Sequence, residues 1–458
     1  MNLIIKNIAA IMIILVASNT LHSQEILNLD DCREQALLNN KELKKSELQQ
    51  LEAIENVKMA KTAYLPSIKA EANLMHLMQM EDISMPGGFL PTADNAIDAA
   101  NGQFTGVSNV YSPGLSIALD NLSIIYGGLS LTQAIYTGGK IKGSNQLAKS
   151  ALDITELSYQ LKYSEVINMT DKAFWTIAMV ESSIEVAEEY IKMLTELEDQ
   201  MKSMYDVGLS PASEKLKVTV KKNEAELQLL KAKNGLKLSK MYLKQILGLP
   251  LEKPIEIFYE NMESHILDLN NGLESAINNR NELKIMSKQV EIAEINKKLA
   301  LSDYLPQLGL SAQYTGSYIS DFKEDLSFSP AIAAQLSIPL FQWGQGKYKQ
   351  KASQLRIRQA ETELSHTSDL VNLEVIQVKL KIEEALEAIH ISEKNILEAE
   401  ESLEETKASF EVGLNTTTDL LNSQADWQKA KSQNIQAISE YKILETEWLK
   451  VTGALNRD

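Results

Sequence analysis

Residues 61–74 read KTAYLPSIKAEANL, and residues 301–314 read LSDYLPQLGLSAQY. Each stretch ends a helix-like segment at Tyr-Leu-Pro and then changes to a period of two. Pro66 and Pro306 cannot donate a helical backbone hydrogen bond, and each proline pushes the residue before it towards extended geometry. Apolar residues then alternate with polar residues, which is typical of a strand with one apolar face. The sequence therefore predicts two helix-to-strand junctions.

The chain is an internal duplication. Residues 27–66 align without a gap with residues 267–306, with roughly 16 identities in 40 positions, and an internal match of this length indicates a structural repeat. Farther along, the spacing between equivalent residues falls from 240 to 205, so that Gly139, Gly208 and Gly248 correspond to Gly344, Gly413 and Gly453. The first copy therefore carries an insertion. Residues 85–113 are rich in Gly, Pro, Asn and Ser, which predicts a loop there.

The duplication defines the predicted domain organisation. We predict a signal peptide at 1–23, a first repeat at 24–248, a linker at 249–266 and a second repeat at 267–458. Each repeat begins with a helix, at about 30–63 and 270–302. The predicted strands lie at about 66–80, 115–137, 306–320 and 331–343, and the predicted helical hairpins at about 143–248 and 346–453.

The first residues have the pattern of a secretory signal peptide. Lys6 precedes a short apolar core, and small and polar residues follow as far as Ser23. A membrane anchor is the alternative, but the apolar run is well under the ~20 residues that a spanning helix needs. Cys32 is the single cysteine, so no internal disulfide can form. The residues before it do not match a lipoprotein signal.

Each long helical segment predicts an antiparallel hairpin. Apolar residues recur at spacings of four and three from Ile177 to Tyr205 and again from Val378 to Phe410. The series end before Gly208 and Gly413, where a left-handed residue can terminate a helix. A helix of roughly 60 residues is on the order of 90 Å long, so these segments cannot form a compact globule.

Four amphipathic strands in one chain leave a sheet with two open edges. Membrane barrels need about eight strands or more to close, and unpaired backbone groups are very costly in lipid. The pattern therefore favours self-assembly into a shared barrel. A soluble α+β protein whose small sheet packs against its own helices remains the alternative.

Composition and motifs argue against several other classes of protein. The formal net charge of -17 disfavours nucleic-acid binding, which needs a basic face. None of the five histidines pairs with another at metal-ligand spacing. We find neither a serine nucleophile elbow nor a phosphate-binding Walker loop. The sequence therefore predicts no enzyme activity, no cofactor and no metal site.

These features together resemble the TolC-type outer-membrane efflux proteins. The motifs that carry the resemblance are the duplicated starts, ALLNNKELKKS and AINNRNELKIM, the two Tyr-Leu-Pro strand entries, and PLFQWGQGK. The hairpin turns MYDVGLSPASEKLKVTVKKNEAELQ and FEVGLNTTTDLLNSQADWQKAKSQN add the most specific match. The resemblance covers about residues 24 to 455.

The resemblance implies a homotrimer in the outer membrane of a Gram-negative bacterium. Each chain would contribute four strands to a twelve-stranded barrel and its helices to a long periplasmic α-barrel. The hairpin tips, with Gly208, Leu209, Gly413 and Leu414, would dock a periplasmic membrane-fusion adaptor of an inner-membrane pump. The expected function is a passive exit duct for efflux or type I secretion. A periplasmic coiled-coil scaffold or adaptor that never enters lipid is the alternative.

The resemblance also implies roles for residues near both ends of the duct. In the family, carboxylates after the second tip surround the closed entrance; the first position matches Asp419, whereas the second is Asn422. Three copies of Asp419 would bring like charges together and attract cations, but Asn422 weakens that ring. A helix-cap role for Asp419 is the alternative. At the junctions, Tyr64 and Tyr304 could lie in an interfacial aromatic belt or simply pack at helix ends.

Overall fold

The computed structural model describes residues 25–78, 83–85, 88–93, 107–112, 115–117, 122–259, 267–319 and 327–455. The predicted signal peptide lies outside these residues, as does the middle of the predicted loop, 94–106. Within the described ranges the chain is mainly helical with a smaller β component, as the sequence predicts.

Apart from short strands that have no counterpart in the second repeat, the described helices and strands follow each other in the same order in both repeats. The helices are α1 Leu29–Asn39, α2 Lys41–Thr62, α3 Lys140–Asp206, α4 Ala212–Ile246, α5 Gly272–Asn279, α6 Asn281–Ser302, α7 Gln345–Glu411 and α8 Thr417–Val451. The strands are β1 Glu25–Leu27, β2 Ser67–Leu77, β3 Ile83–Met85, β4 Gly88–Ala93, β5 Val107–Ser112, β6 Leu115–Ile117, β7 Leu122–Thr137, β8 Ile255–Ile257, β9 Gln307–Ile319 and β10 Ser327–Ser337.

The described residues fall into two compact units. One unit contains the residues up to Val57, together with Leu147–Ile295 and the residues from Ser353 onward. The other unit contains Lys58–Gln146 and Asn296–Ala352, and it includes the sheet. Helices α3 and α7 have 67 residues each, which corresponds to about 100 Å of helix.

The prediction of one continuous helix at the start of each repeat is wrong. Asn40 separates α1 from α2, and Arg280 separates α5 from α6 at the equivalent position. Both residues have extended backbone, with ψ of 125° and 121°. The Asn40 side-chain oxygen accepts hydrogen bonds from the N–H groups of Glu42 and Leu43, so it caps the start of α2. Periodicity missed this break because the apolar spacing continues across it.

In both repeats the residue at the helix break donates a hydrogen bond to a carbonyl oxygen at the end of the hairpin. The Asn40 Nδ2 group donates to the Ile246 carbonyl oxygen at 3.0 Å, and the Arg280 Nη1 group donates to the Val451 carbonyl oxygen at 3.2 Å. The turn that follows contains Gly248 or Gly453, each with positive φ. A Cβ at Gly248 would lie 2.6 Å from the Asn39 carbonyl oxygen, so only glycine fits this close approach.

The main sheet has four antiparallel strands in the order β10-β9-β7-β2. Strand β7 therefore pairs with β2 of its own repeat and with β9 of the other repeat. The outer edges of β2 and β10 have no partner strand within the described residues. The helical unit contains a separate small pairing, in which β1 and β8 run parallel.

Two predicted strand boundaries need correction. The strand predicted at 115–137 begins at Leu122, because Leu115–Ile117 pairs instead with Ile83–Met85. The strand predicted at 331–343 spans Ser327–Ser337. It includes Pro330, which an edge strand tolerates because no second neighbour needs its missing N–H. The strand ends just before Ile338, which precedes Pro339.

The predicted loop at 85–113 contains strand pairing. Gly88–Ala93 forms an antiparallel ladder with Val107–Ser112, and Met85 pairs with Leu115 at the end of a shorter ladder. The loop prediction followed the glycine and proline content of this stretch. That composition does not prevent pairing between short strands. Pro91 is tolerated because its strand pairs on one side within the described residues, so its missing N–H can face away from that ladder.

Buried apolar residues form the predicted seams of both hairpins. In α7 the residues Val378, Ile382, Ala385 and Ile389 are all buried. In α3 the equivalent seam includes Ile177 and Leu194, both with 0% exposure. Among the described residues, no helix is both long enough and apolar enough to cross a membrane.

A buried ionic cluster links α1, α3 and α8. The side chain of Asp171 is 0% exposed and accepts a two-pronged pair from Arg33, with Nε–Oδ1 at 2.8 Å and Nη2–Oδ2 at 2.5 Å. The Thr446 hydroxyl donates to the same carboxylate at 2.5 Å. The hydrogen bond to Asp171 is the largest influence that raises the pKa of Arg33. The cluster ties the first repeat to the last helix of the second.

Replacing Arg33 by Met should destabilise the protein strongly, because the Asp171 carboxylate would stay buried without its cation. Breaking one side of a buried pair costs about 3–5 kcal/mol. The measurement is the urea midpoint of the detergent-solubilised protein. Arg356→Met provides the control, since Arg356 is an exposed arginine on α7. Equal midpoints for the two variants would contradict the assigned role of Arg33.

Candidate functional site

The two hairpin tips have the same backbone geometry. At the first tip the Gly208 N–H donates to the Tyr205 carbonyl at 2.9 Å, and the Leu209 N–H donates to the Met204 carbonyl at 2.8 Å. The equivalent bonds at the second tip start from Gly413 and Leu414, at 3.0 and 2.9 Å. This pattern is a Schellman motif. It requires a left-handed residue, and both glycines have φ of +79°.

Both tips present apolar side chains to solvent. Leu209 is 75% exposed and Leu414 is 80% exposed, and the valine before each glycine is also exposed. A Cβ at Gly208 or Gly413 would meet nothing within 4 Å. The two glycines therefore have no packing partner for a side chain among the described residues. An exposed leucine on a rigid turn suits contact with another protein.

A capping box fixes the start of α8 immediately after the second tip. The Asp419 N–H donates to Thr416 Oγ1 at 3.2 Å, while the Thr416 N–H donates to Asp419 Oδ2 at 2.8 Å. The Thr416 hydroxyl also donates to Asp419 Oδ2 at 2.6 Å. The first tip differs, because Pro211 stands at its N-cap position without a side-chain hydrogen bond.

The capping box determines the electrostatics of Asp419. The hydrogen bond from the Thr416 hydroxyl, followed by that from its N–H, lowers the pKa of Asp419. A group with a lowered folded pKa stabilises the fold above its unfolded pKa of about 3.9. The cap is therefore complete at neutral pH, and it is lost as the pH falls through the lowered value.

The structure places the two expected entrance residues on one exposed face of α8. Asp419 and Asn422 are three residues apart, and both are exposed. Within one chain Asp419 acts as a helix-cap carboxylate. This is the role that the sequence analysis gives as the alternative to a ring of carboxylates at the entrance. This cap uses one carboxylate oxygen, Oδ2, for both contacts with Thr416. A ring of carboxylates requires further copies of the chain and stays a prediction.

The two helix-to-strand junctions are also alike. After α2, the Tyr64 and Leu65 N–H groups donate to carbonyls three residues earlier, and Tyr304 and Leu305 repeat this turn after α6. Pro66 and Pro306 then immediately precede β2 and β9. Tyr64 is 52% exposed. In contrast, the ring of Tyr304 approaches Gly346, so the two tyrosines have different surroundings.

One face of the four-stranded sheet is apolar across all strands. The registers place Ile68 of β2 beside Leu131 of β7, and Leu131 beside Ala312 of β9, which in turn pairs with Ile332 of β10. Ile68 is 71% exposed and Ile332 is 87% exposed. Leu74, Leu129, Tyr314 and Leu336 share this face and are between 50% and 71% exposed.

The opposite face of the sheet is polar. Lys69 pairs with Ser130, which pairs with Gln313, and Gln313 pairs with Ala331. Ser67, Glu71, Asn73, Thr132, Ser311 and Thr315 lie on the same side by the alternation of the strands. The sheet therefore separates an apolar surface from a polar one, with both surfaces accessible in the single chain.

Sequence periodicity missed two exposed apolar stripes on the helices. On α4 the stripe consists of Leu216, Val220, Leu227, Leu230, Leu238 and Met241, which are between 42% and 67% exposed. On α7 a second stripe consists of Leu355, Leu373, Leu380 and Ile391, which are between 49% and 58% exposed. Their spacing puts each set on one helix face. Spacing predicts a face, but it cannot tell whether the chain itself covers that face.

Metal ligands are not clustered in the part of the chain that the structure describes. No group of three His, Cys, Asp or Glu residues in that part could hold a metal ion.

Comparison with known proteins agrees with this architecture. The sequence profile of the outer membrane efflux protein family matches residues 32–249 and 272–454, which is both repeats. The chain belongs to this family. Its members are transport channels rather than enzymes, which matches the function class that the sequence favours.

Named relatives of this efflux-protein chain include the outer membrane protein TolC of Escherichia coli. It is 21% identical over 465 residues, covering 98% of this chain and 87% of that protein. TolC of Salmonella enteritidis is 22% identical over 440 residues, covering 94% of this chain and 82% of that protein. The family resemblance predicted from the motifs is thus confirmed.

A solved structure with the same fold is that of the Campylobacter jejuni CmeC outer membrane channel. It superposes with a TM-score of 0.75 at 17% identity, covering 94% of this chain and 86% of that one. The outer membrane protein VceC of Vibrio cholerae gives a TM-score of 0.73 at 15% identity, with coverage of 93% and 96%. These similarities establish the fold of this efflux protein.

Replacing Thr416 by Ala should loosen the start of α8, because the capping box loses its hydroxyl. Loss of a threonine cap costs about 1 kcal/mol, so amide protection in the first turn should fall about fivefold. Hydrogen exchange of the peptide after the second tip measures this change. Thr418→Ala is the matched control one position inside the helix. If both variants exchange alike, the capping role is wrong.

Proposed function

We propose that this chain is a passive exit duct of the outer membrane, built from three copies. Each copy contributes four strands to one twelve-stranded barrel and its helical hairpins to a periplasmic conduit. A periplasmic adaptor of an inner-membrane pump docks on the hairpin tips and opens the duct. The observation that carries this proposal is the four-stranded sheet with one apolar face and two open edges.

The open edges support sharing of the barrel between copies. Within the part of the chain that the structure describes, β2 and β10 each leave one row of backbone N–H and C=O groups without a strand partner. Four strands cannot close on themselves, and in lipid each unsatisfied group costs several kcal/mol. Pairing β2 of one copy with β10 of the next satisfies both edges. Three copies then close a ring of twelve strands.

The two faces of the sheet fit the two sides of such a barrel. The apolar face, with Ile68, Leu129 and Ile332, suits contact with lipid. The polar face, with Lys69, Glu71 and Gln313, suits a water-filled interior. A scaffold that stays in the periplasm would expose the apolar face to water, which argues against that alternative.

The helical stripes support the joining of neighbouring copies. The stripe on α4, from Leu216 to Met241, and the stripe on α7, from Leu355 to Ile391, are each exposed in the single chain. Extended apolar patches of this kind mark protein contacts. We place α4 of one copy against α7 of the next, so that both stripes are buried around the ring.

The exposed tips support the docking of an adaptor. Leu209 and Leu414 follow glycines on rigid turns, and their side chains are 75% and 80% exposed in the single chain. Near the second tip, three copies of Asp419 would surround the axis. Because Asn422 carries no charge, we expect only weak block of this entrance by divalent cations. The energy for export comes from the partner pump, since the sequence has no nucleotide-binding motif.

Replacing Ile332 by Arg should prevent assembly in the membrane, because the charge would face lipid. An arginine at the bilayer midplane costs about 2–4 kcal/mol in each copy. The measurements are the fraction of protein in the outer membrane and the yield of oligomers that resist mild detergent. Planar-bilayer conductance of purified protein tests whether the product forms a channel.

The matched control for this substitution is Ala331→Arg on the neighbouring position of β10. Ala331 lies on the polar face beside Gln313, so its arginine would point into water. We expect this variant to assemble as the parent does. Assembly of both variants, or of neither, would contradict the assignment of the two faces.

Replacing Leu414 by Glu should abolish export while trimers remain intact, because the change affects only the docking surface. Loss of a central apolar contact weakens binding by about tenfold or more. The measurement is cell tolerance to compounds whose export depends on this chain, together with cross-linking to the adaptor. Gly413→Arg should act similarly, with added strain at its φ of +79°.

Leu397→Glu is the control for the tip substitution. Leu397 is 67% exposed on α7 and lies well away from the turn in sequence. This variant introduces the same charge, and export should persist. Unchanged tolerance in Leu414→Glu would refute docking at this tip.

A further inference from the structure

A cavity lies between α3, α7 and α8, close to the second tip in sequence. Its volume is about 400 Å³, which falls within the range of about 300–1,000 Å³ that is typical of small-molecule sites. Leu197 of α3, Leu403 and Phe410 of α7, and Trp427 of α8 provide an apolar lining. The lining does not include the exposed tip leucines, Leu209 and Leu414.

One buried hydrogen-bond acceptor in the lining of this cavity has no donor among the described residues. Gln424 lines the cavity, is 6% exposed, and has an Oε1 atom without a hydrogen-bond partner in the structure. Leaving such a group unsatisfied costs about 1–3 kcal/mol. Packing alone therefore does not explain a glutamine at this position, because its unsatisfied acceptor destabilises the fold. A ligand that brings an N–H group to Oε1 would remove this cost.

Acidic side chains surround the same cavity. Glu196, Glu404 and Glu411 line it, and none of them forms an ion pair within the described part of the chain. Glu400 also lines the cavity but pairs with Lys431 at 2.5 Å. Lys407 is the one cation in the described lining. The local formal charge is therefore negative, which favours a cationic occupant.

One of the two aromatic residues of the cavity, Trp427, already attracts a cation. The Lys431 ammonium lies 5.8 Å from the centroid of the Trp427 ring, within the range of a cation–π interaction. An aromatic surface, an acidic rim and an unpaired amide oxygen are the three features that recognise an amphipathic ammonium ion. A neutral ligand would use only the apolar lining, and an inorganic cation would use only the carboxylates.

We propose that this cavity is a binding site for small amphipathic organic ammonium ions. The ammonium N–H donates to Gln424 Oε1, its charge faces Glu404 and Glu196, and its apolar part packs on Phe410 and Trp427. The site goes beyond the proposed duct function, because binding here requires neither an adaptor nor transport. Its position between the two hairpins lets a ligand contact both of them at once.

Binding of 1-naphthylmethylammonium to the full-length assembled protein in nonionic detergent tests this proposal. Isothermal titration calorimetry compares it with 1-naphthylmethanol, which has a similar shape and no charge. We expect the ammonium ion to bind about tenfold more tightly or better, because both the carboxylates and Gln424 act on it. Affinity should also fall as salt is added, since the carboxylates are exposed.

Two substitutions with matched controls separate the contributions to binding. Gln424→Met keeps the size of the side chain and removes the acceptor, whereas Gln428→Met makes the same change one turn along α8, outside the cavity lining. Glu404→Gln removes a lining charge, whereas Glu401→Gln removes a nearby charge outside the lining. The first member of each pair should weaken ammonium binding by about fivefold or more, and the control by less than about twofold.

Several results would overturn the proposal. These are no saturable binding of the ammonium ion, equal affinity for the alcohol, or equal losses in a lining variant and its control. Because the assay measures binding to purified protein, its failure would leave the export function untouched. Conversely, a chain that binds the ammonium ion but forms no channel would contradict only the proposed duct.

Discussion

Unpaired backbone groups at the two edges of a four-stranded sheet are the constraint on which the architecture depends. A strand edge in water can bind solvent, but an edge in lipid has no such partner. Among the described residues, the sheet combines unpartnered edges at β2 and β10 with an apolar face that includes Ile68 and Ile332. Burial of that face in lipid therefore requires further strands. The proposed sharing of one barrel between copies follows from this single requirement.

The two repeats share one contact between their helix break and the end of their hairpin, but they differ in how much of the returning helix is buried. In both repeats a residue at the helix break, Asn40 or Arg280, donates to a carbonyl at the end of the returning helix. The burial of the returning helices is unequal, however. Helix α8 buries residues along its whole length, whereas α4 carries an exposed apolar stripe. The described chain thus leaves the apolar stripe of α4 uncovered, whereas many residues of α8 are buried within it.

Much of the fold could be predicted from local chemistry. Pro66 and Pro306 end helices because they lack a donor, and Gly208 and Gly413 end them because they accept positive φ. The helix breaks were harder to predict, because the Asn40 side chain caps α2 locally but also donates to the Ile246 carbonyl oxygen, 206 residues away. The boundary at Ser327 was missed for a similar reason: Pro330 is acceptable only because β10 lies at an edge.

The sequence by itself determined the duplication, the order of helices and strands, the two tips and the family. These features depend on residue type and spacing within short segments, where backbone sterics and hydrogen bonding act locally. Only the tertiary structure decided which apolar faces the chain covers, and that Gln424 is buried near Trp427 with no donor for its Oε1 atom among the described residues. Those features arise from segments far apart in the chain, because burial depends on what packs opposite a residue.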